Sequence, residues 1–266
     1  MGHCGISLLG HGNKQRQRLR ALADHTGISK STVHRWFQLF NLQPHRQRHF
    51  KISNDPFFVD KVHDIVGLYL RLPDHVVVLC VDEETKIQAL ERTQPMLPLG
   101  LGTVEGVTHD SIRNGTTTLF AALDGATGKV LAQCKRRHRH QEFLSFLQHV
   151  DRNVARNLDI HLIVDNYCTH KHSKVKEWLA GRPRFHLHFI PTYASWINQV
   201  ERFFGIITQK AIRRSSFHNV GELTRKVNAF VEHYNARART FMWVATAESI
   251  LAKIQRFRKA ISRTLH

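Results

Sequence analysis

Two short apolar runs in this chain each end at an aspartate. Asp82 follows Val76–Val81 and Asp165 follows Ile160–Val164, and runs of this composition are typical of buried strands. A third acid, Glu201, lies in a helical stretch. A carboxylate at the end of a buried strand is costly unless it is hydrogen-bonded or bound to a cation. Because Mg²⁺ prefers oxygen ligands, the pattern predicts a two-metal nuclease site.

The charge of the chain indicates the kind of partner. There are 39 Lys and Arg residues against 21 Asp and Glu, for a formal charge of +18 and a pI near 10.4. Such a field favours phosphate-rich partners, nucleic acid first. Association with a ribosome or an anionic membrane surface is the alternative. With 42% hydrophobic residues, the composition is that of a folded domain and not of a basic tail.

Location and redox state are inferred from features that the sequence lacks. No apolar run approaches the roughly 20 residues that span a bilayer, and the first residues do not form a signal peptide. We therefore expect a soluble intracellular protein with no membrane association. The four cysteines, Cys4, Cys80, Cys134 and Cys168, form no Cys-x-x-Cys pair, so we expect reduced, mostly buried thiols and no zinc site.

The segment from Gln15 to Leu42 has the pattern of a helix-turn-helix. Gly27 permits the left-handed turn, and Ser29 or Ser31 caps the second helix. The expected packed side is formed by Leu19, Leu22, Ala23, Ile28, Val33, Trp36 and Phe37. The side chains expected to face DNA are Lys30, Ser31, Thr32, His34 and Arg35. A plain helical hairpin with a solvated polar face is the alternative.

Three regions are expected along the chain. Residues 1–50 form the helix-turn-helix segment with a basic linker at 43–51, residues 51–74 contain a connecting helix from Asp55 to Leu70, and residues 75–262 form the catalytic domain. The basic linker either follows a DNA backbone or is simply solvated.

The catalytic region alternates strands and helices. Besides the two strands that end at Asp82 and Asp165, strands are predicted at 116–123, 129–133 and 185–190, and helices at 140–154, 173–180, 195–212, 220–235 and 246–262. This order predicts an α/β fold with a mixed five-stranded sheet, its three antiparallel strands first, flanked by helices. That is the ribonuclease H-like arrangement, here preceded by a small all-α helix-turn-helix segment.

Three motifs carry a resemblance to a known family. They are Leu79-Cys80-Val81-Asp82-Glu83, the run from Asp165 to Lys171, and the run from Pro191 to Phe204. With Arg92-Thr93-Gln94-Pro95 and Phe241–Glu248, they resemble the DDE transposases of bacterial insertion sequences in the mariner-like superfamily. The resemblance extends from about Ala21 to Ile254, and Asp165 and Glu201 are 36 positions apart, near the spacing of that superfamily.

The resemblance implies a mechanism and partners. Asp82 would bridge two Mg²⁺ ions, for which Mn²⁺ can substitute, and Asp165 and Glu201 would complete their coordination. One ion would activate water and later a DNA 3′-hydroxyl, while the other would stabilise the leaving oxygen. The partners implied are double-stranded DNA, as terminal inverted repeats and as target, and a second copy of the chain. The location implied is the bacterial cytoplasm, in association with the nucleoid. Members of that family usually insert at TA dinucleotides, so the resemblance implies the same target here.

Each acidic residue also has a plainer interpretation. Asp82 could be a strand-end turn residue, Asp165 could cap the following turn, and Glu201 could be a solvent-facing residue paired with Arg202 or Lys210. Glu83 and Glu84 are rival ligands. Strand alternation turns Glu83 away from the face of Asp82, which favours Asp82 over Glu83.

Several other residues are candidates for supporting roles. Asn166 and His170 could orient a ligand, a water or a phosphate, or simply cap a loop. Arg136, Arg137 and Arg139 lie in a basic cluster that could bind DNA phosphates or be only solvated. Tyr193 and Trp196 are interpreted as packing residues in preference to base-stacking ones.

Departures from the family suggest a second function. Relatives usually have more helical DNA-binding sequence before the segment that begins here, so we expect an N-terminal truncation, and Thr240 stands where a proline is usual. The alternative to a working transposase is therefore a truncated remnant that binds DNA and competes with the complete enzyme. A general ribonuclease H-like nuclease is a third interpretation, which the helix-turn-helix disfavours.

Overall fold

A computed structural model describes residues 11–39, 53–71, 74–93, 110–213 and 215–264. The predicted basic linker, Gln94 and Pro95 of the family motif, Cys4 and the side chain of Phe37 lie outside that description. The chain divides into two compact units, Met1–Lys51 and Ile52–His266. The predicted boundaries at 50 and 74 stay predictions. Within the second unit, the helix predicted as a connector packs into the main core.

The first unit contains the predicted helix pair, α1 (His11–Thr26) and α2 (Lys30–Leu39). Gly27 has a φ of 67°, the left-handed conformation that glycine adopts without strain. The side chain of Ser29 accepts a hydrogen bond from the Thr32 backbone N–H at 3.2 Å, which makes Ser29 the cap of α2. The two helices meet through Ala23 and Val33, with Leu19 and Ile28 packed against them.

The predicted packed side of this pair is only partly correct. Trp36 is 44% exposed and Leu22 is 39% exposed, although both were expected inside. The reason is size, because the contact between two short helices is small and its centre is already filled by Ala23 and Val33.

The second unit has the predicted alternation of strands and helices. Its helices are α3 (Phe58–Leu70), α4 (His140–Asn153), α5 (Ser173–Ala180), α6 (Val200–Ile207), α7 (Val220–Ala236) and α8 (Ala247–Thr264). Its strands are β1 (Val76–Arg92), β2 (Ser111–Asp124), β3 (Val130–Lys135), β4 (Asp159–Val164) and β5 (Phe185–Phe189). No helix in the described part of the chain is long and apolar enough to cross a membrane.

The sheet is five-stranded and mixed, in the order β3-β2-β1-β4-β5. Strands β1, β2 and β3 pair antiparallel, while β4 runs parallel to both β1 and β5. This confirms the predicted sheet with its three antiparallel strands first. Because the first part of β1 pairs parallel with β4 in the middle of the sheet, the end of β4 lies beside β1 next to Cys80.

Each face of the sheet has its own core. One face, with Cys80 and Ile163, is covered by α3, α6, α7 and α8. The other, with Val81 and Val164, is covered by α4 and α5. Alternate residues of a strand point to opposite faces, so Asp82 lies on the side of α6 and Glu83 on the side of α4.

The first strand is longer than predicted. Asp82 was expected to end it, but β1 continues to Arg92 and pairs with β2 to Ser111. The register shifts between Glu84 and Ile87 and again between Gln88 and Leu90, and Lys86 has a φ of 56°. Polar sequence and bulges hide this extension, because neither an apolar run nor a regular alternation marks it.

The helix predicted at 195–212 is broken into pieces. A 3₁₀ turn at Ser195–Ile197 precedes α6, and a π-helical turn at Thr208–Ile212 follows it. Asn198 lies between the first two pieces with a non-helical backbone, φ −80° and ψ 110°. Its side chain bonds to β1 instead, so a tertiary contact overrides the helical pattern at this point.

Candidate active site

The sheet register places Asp82 and Asp165 at the same level on neighbouring strands. Cys80 pairs with Ile163 in the parallel ladder between β1 and β4. Each aspartate lies two residues further along the chain, Asp82 within β1 and Asp165 directly after β4. Cys80 and Ile163 belong to the core on the α6 side, so both aspartates are directed toward that side. The sequence prediction that these two acids come together is in agreement with this geometry.

Helix α6 brings the third acid to the same place. One side of the helix is buried in the core through Val200, Phe203, Phe204 and Ile207. Burial of each of these side chains stabilises the fold by roughly 1.5–3 kcal/mol. Glu201, in the first turn, remains accessible to solvent. Tyr69 holds the segment before α6, because its hydroxyl donates a hydrogen bond to the Ile197 carbonyl at 2.9 Å.

Asp82 is in an unfavourable position for a charged group. Burial, together with repulsion from Asp165, Glu83 and Glu201, raises the pKa of Asp82 to about 7. Two donors partly compensate. The Glu83 backbone N–H donates to Asp82 Oδ1 at 2.8 Å, and Asn198 Nδ2 donates to Oδ2 at 3.4 Å.

Asp165 has the opposite surroundings. His170 Nδ1 lies 2.9 Å from Asp165 Oδ1, and the Tyr167 backbone N–H donates to the same oxygen at 3.0 Å. Burial alone would raise the pKa of Asp165, but the His170 and Tyr167 hydrogen bonds and the charges of His170 and Lys171 outweigh it and lower that pKa.

His170 links this aspartate to a second acid on the other face of the sheet. Its ring is buried against Phe143, and its Nε2 lies 3.4 Å from Glu83 Oε2. Burial opposes protonation of the ring, yet the hydrogen bond to Asp165 and the ion pair with Glu83 raise the pKa of His170 to about 10. The ring therefore carries a positive charge between two carboxylates at neutral pH.

The open side of the site holds two glutamates. Burial raises the pKa of Glu84, and burial with repulsion from Glu84 and Asp165 raises that of Glu201. Glu84 has the same strand parity as Asp82. It is thus a fourth carboxylate near the site, in keeping with its place among the rival ligands.

The predicted supporting residues are placed differently from one another. His170 contacts a catalytic candidate directly. Asn166 instead donates to the Ile190 carbonyl at 2.6 Å and accepts from Lys171 at 2.8 Å, so its side chain fastens the loop after β4 to the end of β5.

The predicted basic cluster lies beside the loop that comes after Asp165. The rings of His138 and Tyr167 are 6.3 Å apart, and Arg136 and Arg137 are exposed. Arg139 is engaged within its own helix, since it forms an ion pair with Glu142 at 2.8 Å in a capping box. Of the three arginines, Arg136 and Arg137 present their guanidinium groups most openly.

In the first unit, the residues predicted to face DNA lie at the start of α2. Lys30, Ser31, His34 and Arg35 are exposed and Thr32 is half-buried. The hydroxyls of Ser31 and Thr32 are both within 3.0 Å of Ser29 Oγ, so these two also support the helix cap.

The interpretation of Tyr193 and Trp196 as packing residues is wrong. They are 49% and 52% exposed, and Tyr193 has a φ of 62°. Both lie between the end of β5 and the start of α6, outside the regular elements whose faces build the core. The thiols are likewise less buried than expected, since Cys168 is exposed while Cys80 is buried.

Two contacts of the site were not found from the sequence. Asn198 was seen only as part of the family motif, and Glu83 only as a rival ligand. For Asn198, the weak signal is a polar residue near the start of the helical pattern predicted at 195–212. For Glu83 the signal is better. Strand alternation directs its side chain toward the buried face, where a carboxylate requires a counter-charge.

The comparisons with known proteins identify the family. Residues 77–224 match the family model described as DDE superfamily endonuclease, which is more than half of the chain. The chain belongs to the DDE superfamily endonucleases. The matched region contains all three acids and ends inside α7.

Among relatives of this DDE endonuclease, an insertion element IS630 uncharacterized 39 kDa protein of Shigella sonnei is 32% identical over 114 residues. That alignment covers 43% of this chain and only 33% of the relative, so the chain spans about a third of the length of the curated protein it matches. The resemblance to insertion-sequence transposases is confirmed at the level of the family.

Solved structures agree with the fold. A Mos1 transposase paired-end complex with the left transposon end has a TM-score of 0.58 at 12% identity, covering 99% of this chain and 81% of that one. Mos1 paired-end complexes with Mn and with Mg have the same TM-score at 12% and 11% identity, covering 98% and 99% of this chain and 79% and 81% of theirs. The ribonuclease H-like prediction is thereby confirmed.

Proposed function

We propose that this DDE endonuclease is a transposase that cleaves transposon-end DNA and joins it to target DNA, with Asp82, Asp165 and Glu201 as its catalytic residues. The observation that carries the proposal is their convergence from β1, β4 and α6. Burial and the neighbouring acids raise the pKa of Asp82 to about 7, the electrostatic environment expected of a carboxylate that is balanced by a bound cation.

The donor set favours a hard divalent ion. The available side-chain atoms on the open side are carboxylate oxygens of Asp82, Asp165, Glu201 and Glu84, whereas His170 is already engaged by Asp165 and Glu83. No group of three His, Cys, Asp or Glu residues in the described part is arranged to hold a metal by itself. Mg²⁺ suits such a site because it keeps several waters and completes its shell with substrate phosphates, and Mn²⁺ accepts similar ligands.

The three acids have separate roles in this proposal. Asp82, on the central strand, would bind both ions, while Asp165 and Glu201 would each bind one. When bound, the ions would supply an activated water or 3′-hydroxyl and stabilise the leaving oxygen of the phosphodiester. His170 holds the Asp165 carboxylate in a fixed, ionised state, which keeps its oxygens available to a cation.

DNA would be held by positive charge near the site and by the helix pair. Arg136 and Arg137, next to the loop that comes after Asp165, are proposed to bind backbone phosphates, with Arg139 contributing less because of its pairing with Glu142. In the first unit, Lys30, Ser31, Thr32, His34 and Arg35 are proposed to contact the terminal repeat. Pairing two transposon ends requires two active sites, so we propose a homodimer on DNA, working at the bacterial nucleoid.

The test is strand cleavage of a duplex that carries the inverted repeat flanking the gene, with Mg²⁺ or Mn²⁺. We expect the parent to nick this duplex and the Glu201→Gln variant to be slower by about 100-fold or more, because the substitution removes a metal ligand but preserves shape. Glu177→Gln is the matched control, since Glu177 is an exposed residue of α5 away from the acids.

Three outcomes separate the alternatives. Cleavage by the parent and by Glu177→Gln, but not by Glu201→Gln, would establish the proposed site. Binding of the repeat with no cleavage by any variant would identify a DNA-binding remnant. Equal cleavage of a duplex with a scrambled end would replace the transposase by a general nuclease.

A further inference from the structure

Asn198 is buried beneath the acidic site and touches two of its elements. Its side chain has 0% exposure. Its Nδ2 donates to the Val81 carbonyl at 3.1 Å and to Asp82 Oδ2 at 3.4 Å. A fully buried asparagine is costly unless it is satisfied, so these contacts determine where the residue lies.

The backbone of the same residue holds the third acid. The Asn198 carbonyl accepts a hydrogen bond from the Glu201 N–H at 3.3 Å, and the Asn198 N–H donates to the Ser195 carbonyl at 2.8 Å. Through one residue, the strand that carries Asp82 is therefore connected to the first turn of the helix that carries Glu201.

The carboxylate of Asp82 is oriented from both sides by this arrangement. The Glu83 N–H approaches Oδ1 and Asn198 Nδ2 approaches Oδ2, and each carboxylate oxygen keeps a second lone pair. The remaining polar atom of the amide, Asn198 Oδ1, is buried and has no hydrogen-bond partner among the described residues. An unsatisfied atom of this kind costs about 1–3 kcal/mol, and a functional role is one reason for such a cost to persist.

We propose that Asn198 is a positioning residue, which sets the orientation of the Asp82 carboxylate and its placement relative to Glu201 so that both can bind one divalent cation. The proposal rests on the metal site described under the proposed function. In this role Asn198 acts on the cation through Asp82 and Glu201. Residues that hydrogen-bond to metal ligands in this way typically change metal affinity by about 10–100-fold when removed.

The test measures Mn²⁺ binding to the DNA-free protein by calorimetry, so that it does not depend on cleavage. We expect Asn198→Ala to weaken Mn²⁺ binding by about 10-fold or more. Asn198→Leu, which fills nearly the same volume without a donor, should do the same and decides the question if the alanine variant does not fold. A change in folding alone would not alter the affinity of the folded fraction.

Asn235 provides the matched control. Its side chain, like that of Asn198, makes two hydrogen bonds to a strand. They join it to the N–H and C=O of Val130, both at 2.8 Å, and not to an acid of the site. Asn235→Ala should lose stability and keep the Mn²⁺ affinity of the parent.

The outcomes distinguish this inference from the one it rests on. Parent-like affinity in both Asn198 variants, or an equal loss in Asn235→Ala, would overturn the positioning role alone, provided that Glu201→Gln loses binding. If the parent binds no Mn²⁺, or if Glu201→Gln binds it as well as the parent, the metal site fails and the role of Asn198 fails with it.

Discussion

Asp82 and Asp165 lie at the same level on adjacent strands, yet their electrostatic states are opposite. Burial and three neighbouring acids raise the pKa of Asp82 to about 7. His170, Tyr167 and Lys171 overcome the effect of burial at Asp165 and lower its pKa. The protein thus compensates the negative charge of Asp165 with its own groups and leaves the charge of Asp82 largely uncompensated.

The difference originates in the residues that come after each aspartate along the chain. After Asp165, β4 has ended, and the 3₁₀ turn at Cys168–Lys171 returns a backbone N–H and an imidazole to the carboxylate. After Asp82, β1 continues and its next residue is another acid. The backbone groups of a continuing strand are largely used by its ladder, here with β2. Asp82 therefore receives the Glu83 N–H, whereas Asp165 receives both a backbone N–H and an imidazole.

This comparison indicates where a cation has the most to contribute. The fixed positive charge of His170 lies on the Asp165 and Glu83 side. On the other side, Asp82, Glu84 and Glu201 all have raised pKa values. We therefore expect the gain in stability on metal binding to come mainly from these three carboxylates.

Removal of His170 should have the largest effect on the contrast between the two aspartates. His170→Ala leaves the nearly buried Glu83 and the neighbouring Asp165 without their shared counter-charge. We expect the free energy of unfolding to fall by about 3–5 kcal/mol, the usual result of removing one partner of a buried ion pair. Urea denaturation at pH 7 without metal measures it.

Two variants control for other causes of that loss. His172→Ala, two residues away, removes a half-buried ring that accepts the Lys174 N–H, and should cost only about 1 kcal/mol. The double variant Glu83→Gln with His170→Gln removes both charges and should recover much of the stability. A double variant as unstable as His170→Ala would show that packing, and not charge, is the cause.

Neutralising each aspartate in turn should affect stability with opposite signs. Because the folded pKa of Asp82 is raised from 3.8 to about 7, its contribution to stability is complete below about pH 4 and is lost as the pH rises to about 7. The loss is at most about 4 kcal/mol, at roughly 1.4 kcal/mol per pKa unit. Asp82→Asn avoids that loss, so above pH 7 the metal-free variant should be more stable than the parent.

The same stability measurement is made on Asp165→Asn for comparison. The folded pKa of Asp165 is lowered, so its ionised form stabilises the fold above its ordinary pKa and this stabilisation is lost as the pH falls. Asp165→Asn should therefore destabilise the protein at pH 7. Unfolding by urea in a chelator, between pH 4 and 8.5, gives both differences against the parent, and the same sign for both variants would contradict the contrast.

The pairing of the two aspartates could be predicted from the sequence because it depends on strong, local patterns. Asp82 and Asp165 each follow an apolar run long enough to form a buried strand, and the order of strands and helices restricts how such strands can pair. The mixed five-stranded sheet is confirmed for this reason. The end of β1 was misplaced because the hairpin extension beyond Asp82 is polar and bulged.

The opposite electrostatic states could not be predicted, because they depend on single tertiary contacts. Nothing in the spacing of His170 indicates that its ring reaches both Asp165 and Glu83. The predicted helix is interrupted at Asn198, and this interruption changes which neighbouring side chains are buried. Trp196 is therefore exposed, although a continuous helix would have suggested that it packs. Periodicity describes a helix, but it does not indicate where a side-chain bond to another strand interrupts one.

The smallest effect should come from Lys171, the outermost charge on the Asp165 side. Its ammonium bonds to Asn166 Oδ1 at 2.8 Å and its charge helps to lower the pKa of Asp165. Because Lys171 is exposed, we expect Lys171→Ala to raise the pKa of Asp165 less than removal of His170 does, and to cost under about 1 kcal/mol at pH 7.

Titration of ¹³C-labelled aspartate carboxyls measures that pKa. Lys174→Ala is the control, because Lys174 is a nearby exposed lysine that is not among the main causes of the shift at Asp165. The shift in Lys171→Ala should shrink in high salt, since salt screens a solvent-exposed charge but screens the buried His170 much less. An equal shift in Lys174→Ala would mean that Lys171 acts only as part of the general positive charge of the surface and not as a specific partner of Asp165. In that case the contrast with Asp82 would depend on His170 and the turn N–H alone.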